Sequence, residues 1–520
     1  MWDRGDTAWG EDENCKNPSD GRMWCLSTDG FTLFCVVMRT LTSFIAGEAE
    51  PAPRFRSGQE AGSRRDIRSP FDNQVVARVC QSSPDQVSRA IKSASDARET
   101  MRAMPHHERA RILDEMARRV TVEREGLALM LVEEAGKPIT LARLEANRCA
   151  QTITEAARCA RFMEDQAFPL DGYGPGTGKT AIVRRFPIGV IAAITPFNFP
   201  LNLVAHKITP AIAAGCPVVL KPASQTPSTG AALVRIAHES GLPTGALNLV
   251  LLGGAEASRM IEDERFAMVT FTGSAEVGWG LKGRLATKRV TLELGGNAGA
   301  IVEPDADIEL VAKKLANGAF AYAGQSCISV QRIFVHEDIA ERFTEALVEA
   351  ARAMPSGDPA DEKTTCGPLI DTANADRVSE WIAEAQKMGG RVLCGGQRSD
   401  NVIAPTVVAD APNTARLNCN EVFGPVVNVS RYRDFEDAVA MVNDSQYGLQ
   451  AGVFTNDIRK IWRAFESLEV GGVMHNEPPT YRVDMMPYGG VKMSGSGREG
   501  PRWAIEQMTE PRLLVLSTIS

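Results

Sequence analysis

Four short stretches set reactive or hydrogen-bonding side chains where packing alone gives no reason for them. "AGQSCISV" (323–330) presents Cys327 on a small, polar turn just before an apolar run. A cysteine so placed is either a buried thiol or a nucleophile that works as its thiolate. "TLELGGN" (291–297) embeds Glu293 in an apolar run beside two glycines that let another backbone approach closely. "VVLKPAS" (218–224) leaves Lys221 at the end of a β-rich run, a place where a lysine needs a phosphate, hydroxyl or carboxylate partner. "ITPFNFPL" (194–201) holds Asn198 among two phenylalanines and two prolines, so its amide is either a turn-former or a donor aimed at a ligand. Taken singly, each has a plain structural alternative: buried thiol, salt-bridged carboxylate, surface lysine, capped turn.

The elements that must position these residues alternate. From about 84 to 165 the pattern is helical: Val87 and Ile91 lie four apart, and Ile112, Met116 and Val120 share one face. Then come short β-rich runs at 187–194, 217–222, 246–252, 267–273 and 289–296, separated by helical stretches. One of these opens at "TPSTG", with Thr226 as the expected N-cap and Pro227 at the first helical position. Buried strands alternating with helices predict an α/β fold with a doubly wound parallel sheet. Each of the four reactive residues closes a predicted strand or the turn beside one, where such folds place ligands. A second α/β alternation opens at about residue 297, starting with "ISVQRIFVH" (328–336) and the helix after it.

Composition narrows the class. A chain of 520 residues buries a large core and divides into about two to four domains. Its net charge of −8 argues against a nucleic-acid footprint or a polybasic membrane surface. The eleven cysteines are scattered without metal-type pairs, which fits a reducing compartment, and no metal site is expected. The most apolar stretch, 188–205, contains Pro196, Asn198, Pro200 and Asn202 and would make a poor membrane span. Residues 1–37 hold three of the seven tryptophans and no amphipathic period; they read as a disordered N-terminal extension, with Met38 as the natural start.

Two phosphate-loop look-alikes fail on context. "GYGPGTGKT" (172–180) has Tyr173 where the first P-loop glycine belongs, and a strand-like run follows it, so a glycine-rich hairpin is the better reading. "GSGREG" (495–500) has the dinucleotide spacing but no buried strand before it. If a nucleotide binds, it binds without the usual glycine signature.

In order and spacing, the four stretches resemble the aldehyde dehydrogenase superfamily. "EAGKPI" (134–139), "FTGS" (271–274), "EVFGPV" (421–426) and "PYGGVKMSGSGREG" (487–500) extend the resemblance from about residue 38 to 520. It implies a Rossmann-like cofactor domain (38–168 and 187–296), an α/β catalytic domain (297–485) and a small β oligomerisation element (169–186 and 486–520). It implies that Cys327 attacks the aldehyde as thiolate, that Asn198 holds the oxyanion with the Cys327 backbone N–H, and that Glu293 activates water to hydrolyse the thioester. Lys221 and Glu421 match the residues that hold the two riboses, with Phe423 beside the nicotinamide and Gly273 and Ser274 near the pyrophosphate. Thr195, Pro196, Phe197, Ser224, Phe271 and Val277 complete the implied cofactor contacts.

Members that pass the acyl group to coenzyme A generally lack the glutamate, so Glu293 favours a free acid as product. A CoA-acylating semialdehyde dehydrogenase, a thiol-dependent acyltransferase and a non-enzymatic structural role are the alternatives. Ser224 stands three residues after Lys221, where NAD-preferring relatives often carry a repelling glutamate; NADP is therefore expected to be accepted, with NAD possible. The 475–490 loop resembles that of lactaldehyde- and glyceraldehyde-type members, and Asn297 that of semialdehyde-oxidising ones, which implies a small aliphatic aldehyde, possibly hydroxylated, or a semialdehyde as substrate. His475 reads as a loop residue. The 171–186 hairpin and the apolar tail "EPRLLVLSTI" imply a homodimer or homotetramer, in the cytoplasm.

Overall fold

The computed structural model describes residues 39–51, 64–285 and 287–518, and the backbone of 24–26 and 32–34. The proposed extension 1–37 lies outside the described residues except for Trp24–Leu26 and Thr32–Phe34. These pair antiparallel.

Five parallel strands form the heart of the first sheet, in the order Arg289–Glu293, Phe266–Thr272, Val190–Ile194, Val218–Lys221 and Leu247–Leu249. Every residue of Val190–Ile194 and Val218–Lys221 is buried, because helices cover both faces of a parallel sheet and leave no alternation to see. The chain starts in the middle strand, builds outward on one side, then crosses to the other. The switch point therefore lies between Val190–Ile194 and Phe266–Thr272, and a crevice opens beyond their C-terminal ends.

The second sheet has seven strands in the order Arg391–Cys394, Thr406–Ala409, Val426–Tyr432, Val330–His336, Ala298–Val302, Gln450–Phe454 and Gly472–His475. All neighbours are parallel except the first pair. Only residues 294–297 separate the edge strand Arg289–Glu293 of one sheet from the central strand Ala298–Val302 of the other.

The glycine-rich stretch at 172–180 is a hairpin turn: Gln166–Pro169 pairs with Lys179–Pro187, and Thr509–Ser517 adds a third strand across nine residue pairs. The segment 486–520 is divided, however. Gly495–Ser496 joins the first sheet against Leu292 and Glu293, and the helix Pro501–Gln507 packs on Asn202–Ala214 and Ile139–Arg161. Only the last strand belongs to the three-stranded element. Gly495 makes this possible, since at φ 146° its bare Cα runs against the Leu292 carbonyl, which a Cβ would strike.

Thr226 does not cap its helix, which runs Ser228–Glu239. The buried carboxylate of Glu134 accepts from the Ser228 backbone N (3.0 Å) and hydroxyl, and so serves an orphan N–H from another element. The Thr226 hydroxyl instead donates to the Phe197 carbonyl at 3.4 Å. Among the described residues no helix is long and apolar enough to cross a membrane.

Candidate active site

One cavity of about 1070 Å³ opens at the crevice between the sheets, and all fourteen residues singled out from the sequence line it. The end of Val190–Ile194 releases Thr195, Pro196, Phe197 and Asn198 into it. Val218–Lys221 delivers Lys221 and Ser224; Phe266–Thr272 delivers Phe271, Gly273 and Ser274, with Val277 on the helix Ala275–Lys282. Glu293 comes from the edge strand, Cys327 from the turn before Val330–His336, and Glu421 and Phe423 from the second sheet's loops.

The Cys327 turn is tight. Tyr322, Ala323 and Gly324 have φ of 54°, 54° and 65°, a left-handed run that non-glycine residues keep only under strong restraint. Gln325 supplies it: its Nε2 donates to the Pro368 carbonyl (3.1 Å) and its Oε1 accepts from Ile370 N (2.9 Å). The half-buried Sγ of Cys327 lies 2.9 Å from the Tyr488 hydroxyl. Burial pushes the thiol up to about 12, against the lowering influence of that hydroxyl, so the resting group is a thiol.

Asn198 is clamped from behind. Its carbonyl accepts from the buried Lys137 ammonium at 2.7 Å, and Lys137 also pairs with Glu145. Glu145 in turn accepts from Leu201 N (3.0 Å) and Asn202 N (3.1 Å), while Lys137 lies 3.7 Å from the Phe199 ring centroid. The side-chain Nδ2 donates to the Gln325 carbonyl at 2.9 Å, which ties Asn198 to the cysteine turn and leaves its second N–H for the cavity.

Glu293 is buried, and neither carboxylate oxygen has a hydrogen-bond partner among the described residues. Burial, and then the nearby Glu499, raise it well above the usual carboxylate range, which makes the carboxylate a stronger proton acceptor than an exposed one. The two glycines after it fulfil the expectation of close approach. A Cβ on Gly295 would strike the Glu421 carboxylate, and one on Gly296 the Cys327 carbonyl.

At the other end, the Lys221 ammonium is buried and, among the described residues, reaches only Ser224 Oγ, at 3.4 Å. Burial, and then Arg65, pull it down to about 8. Arg65 donates to the Ser224 carbonyl, and its buried Nε has no hydrogen-bond partner among the described residues. Glu421 accepts from Gly296 N at 2.9 Å and is raised by burial to about 7. A buried lysine and a half-buried arginine short of acceptors among the described residues, a carboxylate, and the N-terminus of Ala275–Lys282 opening at Ser274 fit the phosphates and ribose hydroxyls of a dinucleotide.

Sequence reasoning did not single out Arg65, Lys137, Glu145, Tyr488 or Arg482. Lys137 and Tyr488 fall inside quoted motifs; Arg65 carries no local signal. His475 is exposed, ends the strand Gly472–His475, contacts the Thr455 carbonyl (3.0 Å) and does not line the cavity.

Residues 55–514 match the Aldehyde dehydrogenase family. The chain is 39% identical over 460 residues to 3-sulfolactaldehyde dehydrogenase of Priestia aryabhattai, covering 88% of this chain and 96% of that protein. Among solved structures it is similar to aldehyde dehydrogenase 21 from Physcomitrella patens in complex with the reaction product succinate (40% identity, TM-score 0.88, 93% of this chain and 99% of that one). It is also similar to the glyceraldehyde-3-phosphate dehydrogenase GapN from Methanocaldococcus jannaschii complexed with NADP (37%, 0.84, 87% and 99%).

Proposed function

The chain belongs to the aldehyde dehydrogenase family, whose members oxidise aldehydes with NAD(P), and on that premise we propose how its cavity divides the work. The first sheet, with Lys221, Ser224, Phe271, Gly273, Ser274, Val277 and the 195–197 turn, holds the dinucleotide, and Glu421 and Phe423 reach across from the second. When bound, the dinucleotide supplies the hydride acceptor. Cys327, as thiolate, adds to the aldehyde carbon, and the new oxyanion is held by Asn198 Nδ2 and the Cys327 backbone N–H. Loss of hydride leaves a thioester on Cys327. Glu293 then takes a proton from water, which displaces the thiol and releases a carboxylic acid.

The observation that carries this reading is that Cys327, Glu293 and Asn198, from three separate strands and turns, meet in one cavity, with Asn198 bonded to the cysteine turn. NADP is accepted, on this reading, because Arg65 and Lys221 face Ser224 with no carboxylate to repel a 2′-phosphate. The substrate is a small aliphatic aldehyde or semialdehyde, in keeping with relatives named for lactaldehyde, sulfolactaldehyde and aspartate semialdehyde. We place the enzyme in the cytoplasm as a homo-oligomer. Leu513, Leu514, Val515 and Leu516 are exposed in succession on the outer strand of the three-stranded sheet, an edge a second copy would cover.

Rapid mixing of Glu293→Gln with aldehyde and NADP tests the assignment. A burst of NADPH of about one equivalent per site, followed by little turnover, is expected; steady-state turnover equal to the parent enzyme would overturn it.

A further inference from the structure

The loop that carries Glu421 and Phe423 is held from the cysteine's own strand. Val330–His336 begins three residues after Cys327 and runs parallel to Val426–Tyr432, with Arg332 opposite Asn428. Upstream of Val426 the chain leaves that ladder, and residues 420–424 belong to no strand. Their backbone groups must find other partners.

Gln331 supplies two of them. It is buried, its Nε2 donates to the Asn420 carbonyl at 3.0 Å, and its Oε1 accepts from the Val422 N–H at 3.1 Å. One side chain thus bonds the backbone on both sides of Glu421, much as a neighbouring strand would. Only an amide offers a donor and an acceptor together without placing a charge in this buried position.

The grip matters because the loop is strained. Phe423, directly after Val422, has φ 47°, a left-handed conformation that an aromatic residue disfavours. The next residue is packed tightly: a Cβ on Gly324 would strike the Gly424 carbonyl, and one on Gly424 the Val378 side chain. Phe423 meets Phe197 edge to face, with centroids 5.8 Å apart, and Glu421 accepts from Gly296 N at 2.9 Å. Removing the Gln331 amide would orphan the buried Val422 N–H and free Phe423 to relax to an ordinary φ. The Phe423 ring and the Glu421 carboxylate would then leave their present places together.

We propose that Gln331 is a positioning residue for the cofactor: by bonding both sides of Glu421 it keeps the free enzyme's 420–424 loop in the strained shape that the dinucleotide binds. It also ties that shape to the strand that follows Cys327. The proposal rests on reading Glu421 and Phe423 as cofactor contacts. Without the amide the competent shape becomes a minor population, and affinity falls by that fraction. Bound dinucleotide restores the shape, so turnover at saturation survives.

Gln331→Met keeps the length of the side chain and removes both bonds. Fluorescence titration should show Kd for NADPH raised by about 5- to 30-fold, with KM for NADP raised alike. At saturating NADP kcat should fall by less than about threefold, and alkylation of Cys327 by iodoacetamide should stay within about twofold of the parent rate. Hydrogen exchange of the parent protein needs no variant: the Val422 amide should already be protected in the free enzyme, and NADP should slow it by less than about tenfold more. An unchanged Kd, a slowing of Cys327 alkylation as large as the loss of affinity, or a Val422 amide that exchanges freely until NADP is added would each overturn the proposal while leaving the dinucleotide site standing. Absence of binding of both NADPH and NADH to the parent protein would overturn the site and the proposal with it.

Discussion

Replacing Tyr488 by Phe removes one hydroxyl from Cys327 and keeps the ring on which Arg482 lies. A hydrogen bond to a thiolate stabilises it by about 1.5–3 kcal/mol, and one to the neutral thiol by about 1 kcal/mol. The difference, about 0.5–2 kcal/mol, is what the hydroxyl contributes to ionisation. Because it favours the charged form, its loss raises the thiol further above the present value of about 12. At any pH below that, the thiolate fraction falls by about 2- to 30-fold. The remaining thiolate is more nucleophilic as its basicity rises, which recovers nearly half of that factor on a logarithmic scale. Alkylation of Cys327 by iodoacetamide should therefore slow by about 1.5- to 8-fold at fixed pH, which displaces the ascending limb of the pH–rate profile upward by about 0.2–0.9 pH units. Measuring that rate from pH 6 to 10 in both proteins decides the matter. Superimposable profiles would refute the idea that Tyr488 acts on the thiol through its hydroxyl.

Two further outcomes follow from the cofactor end. Arg65→Ala should raise KM for NADP by about tenfold and change KM for NAD by less than about threefold, as steady-state kinetics with each cofactor will report; equal changes for both would remove Arg65 from the 2′-phosphate. Glu421 sits near 7, and only its ionised form accepts hydrogen bonds with both oxygens. Cofactor affinity should therefore weaken as pH falls through about 7, and fluorescence titration of NADPH should show that dependence lost in Glu421→Gln.

The positions of the reactive residues were legible because each breaks an apolar run. A carboxylate in "TLELGGN" or an amide in "TPFNFP" has no packing rationale, and all fourteen residues chosen this way or through the resemblance line one cavity. What surrounds them was not legible, because the partners come from remote parts of the chain. Arg65 meets Ser224, Lys137 meets Asn198, and Arg482 meets His206, each pair joined only by folding. Thr226 illustrates the same limit at smaller scale. Local rules made it a cap, but a buried carboxylate from "EAGKPI" reached the helix first. The division of 486–520 escaped for a similar reason, since nothing in "MSGSGREG" announces that Gly495 will press against Leu292.

The seam at Gly295 and Gly296 has a mechanical consequence. Glu293 is anchored in one sheet and Cys327 in the other, and the only covalent span between their strands here passes through those glycines, which are wedged against the Glu421 carboxylate and the Cys327 carbonyl. Any rocking of one sheet on the other changes the gap between base and nucleophile before either sheet loses a hydrogen bond. The activity of this enzyme is thus a more sensitive gauge of alignment than its secondary structure. On gentle heating or mild denaturant, turnover should fail while ellipticity is still intact, and thioester hydrolysis, which needs residues from both sheets, should fail before thiol alkylation, which needs only one.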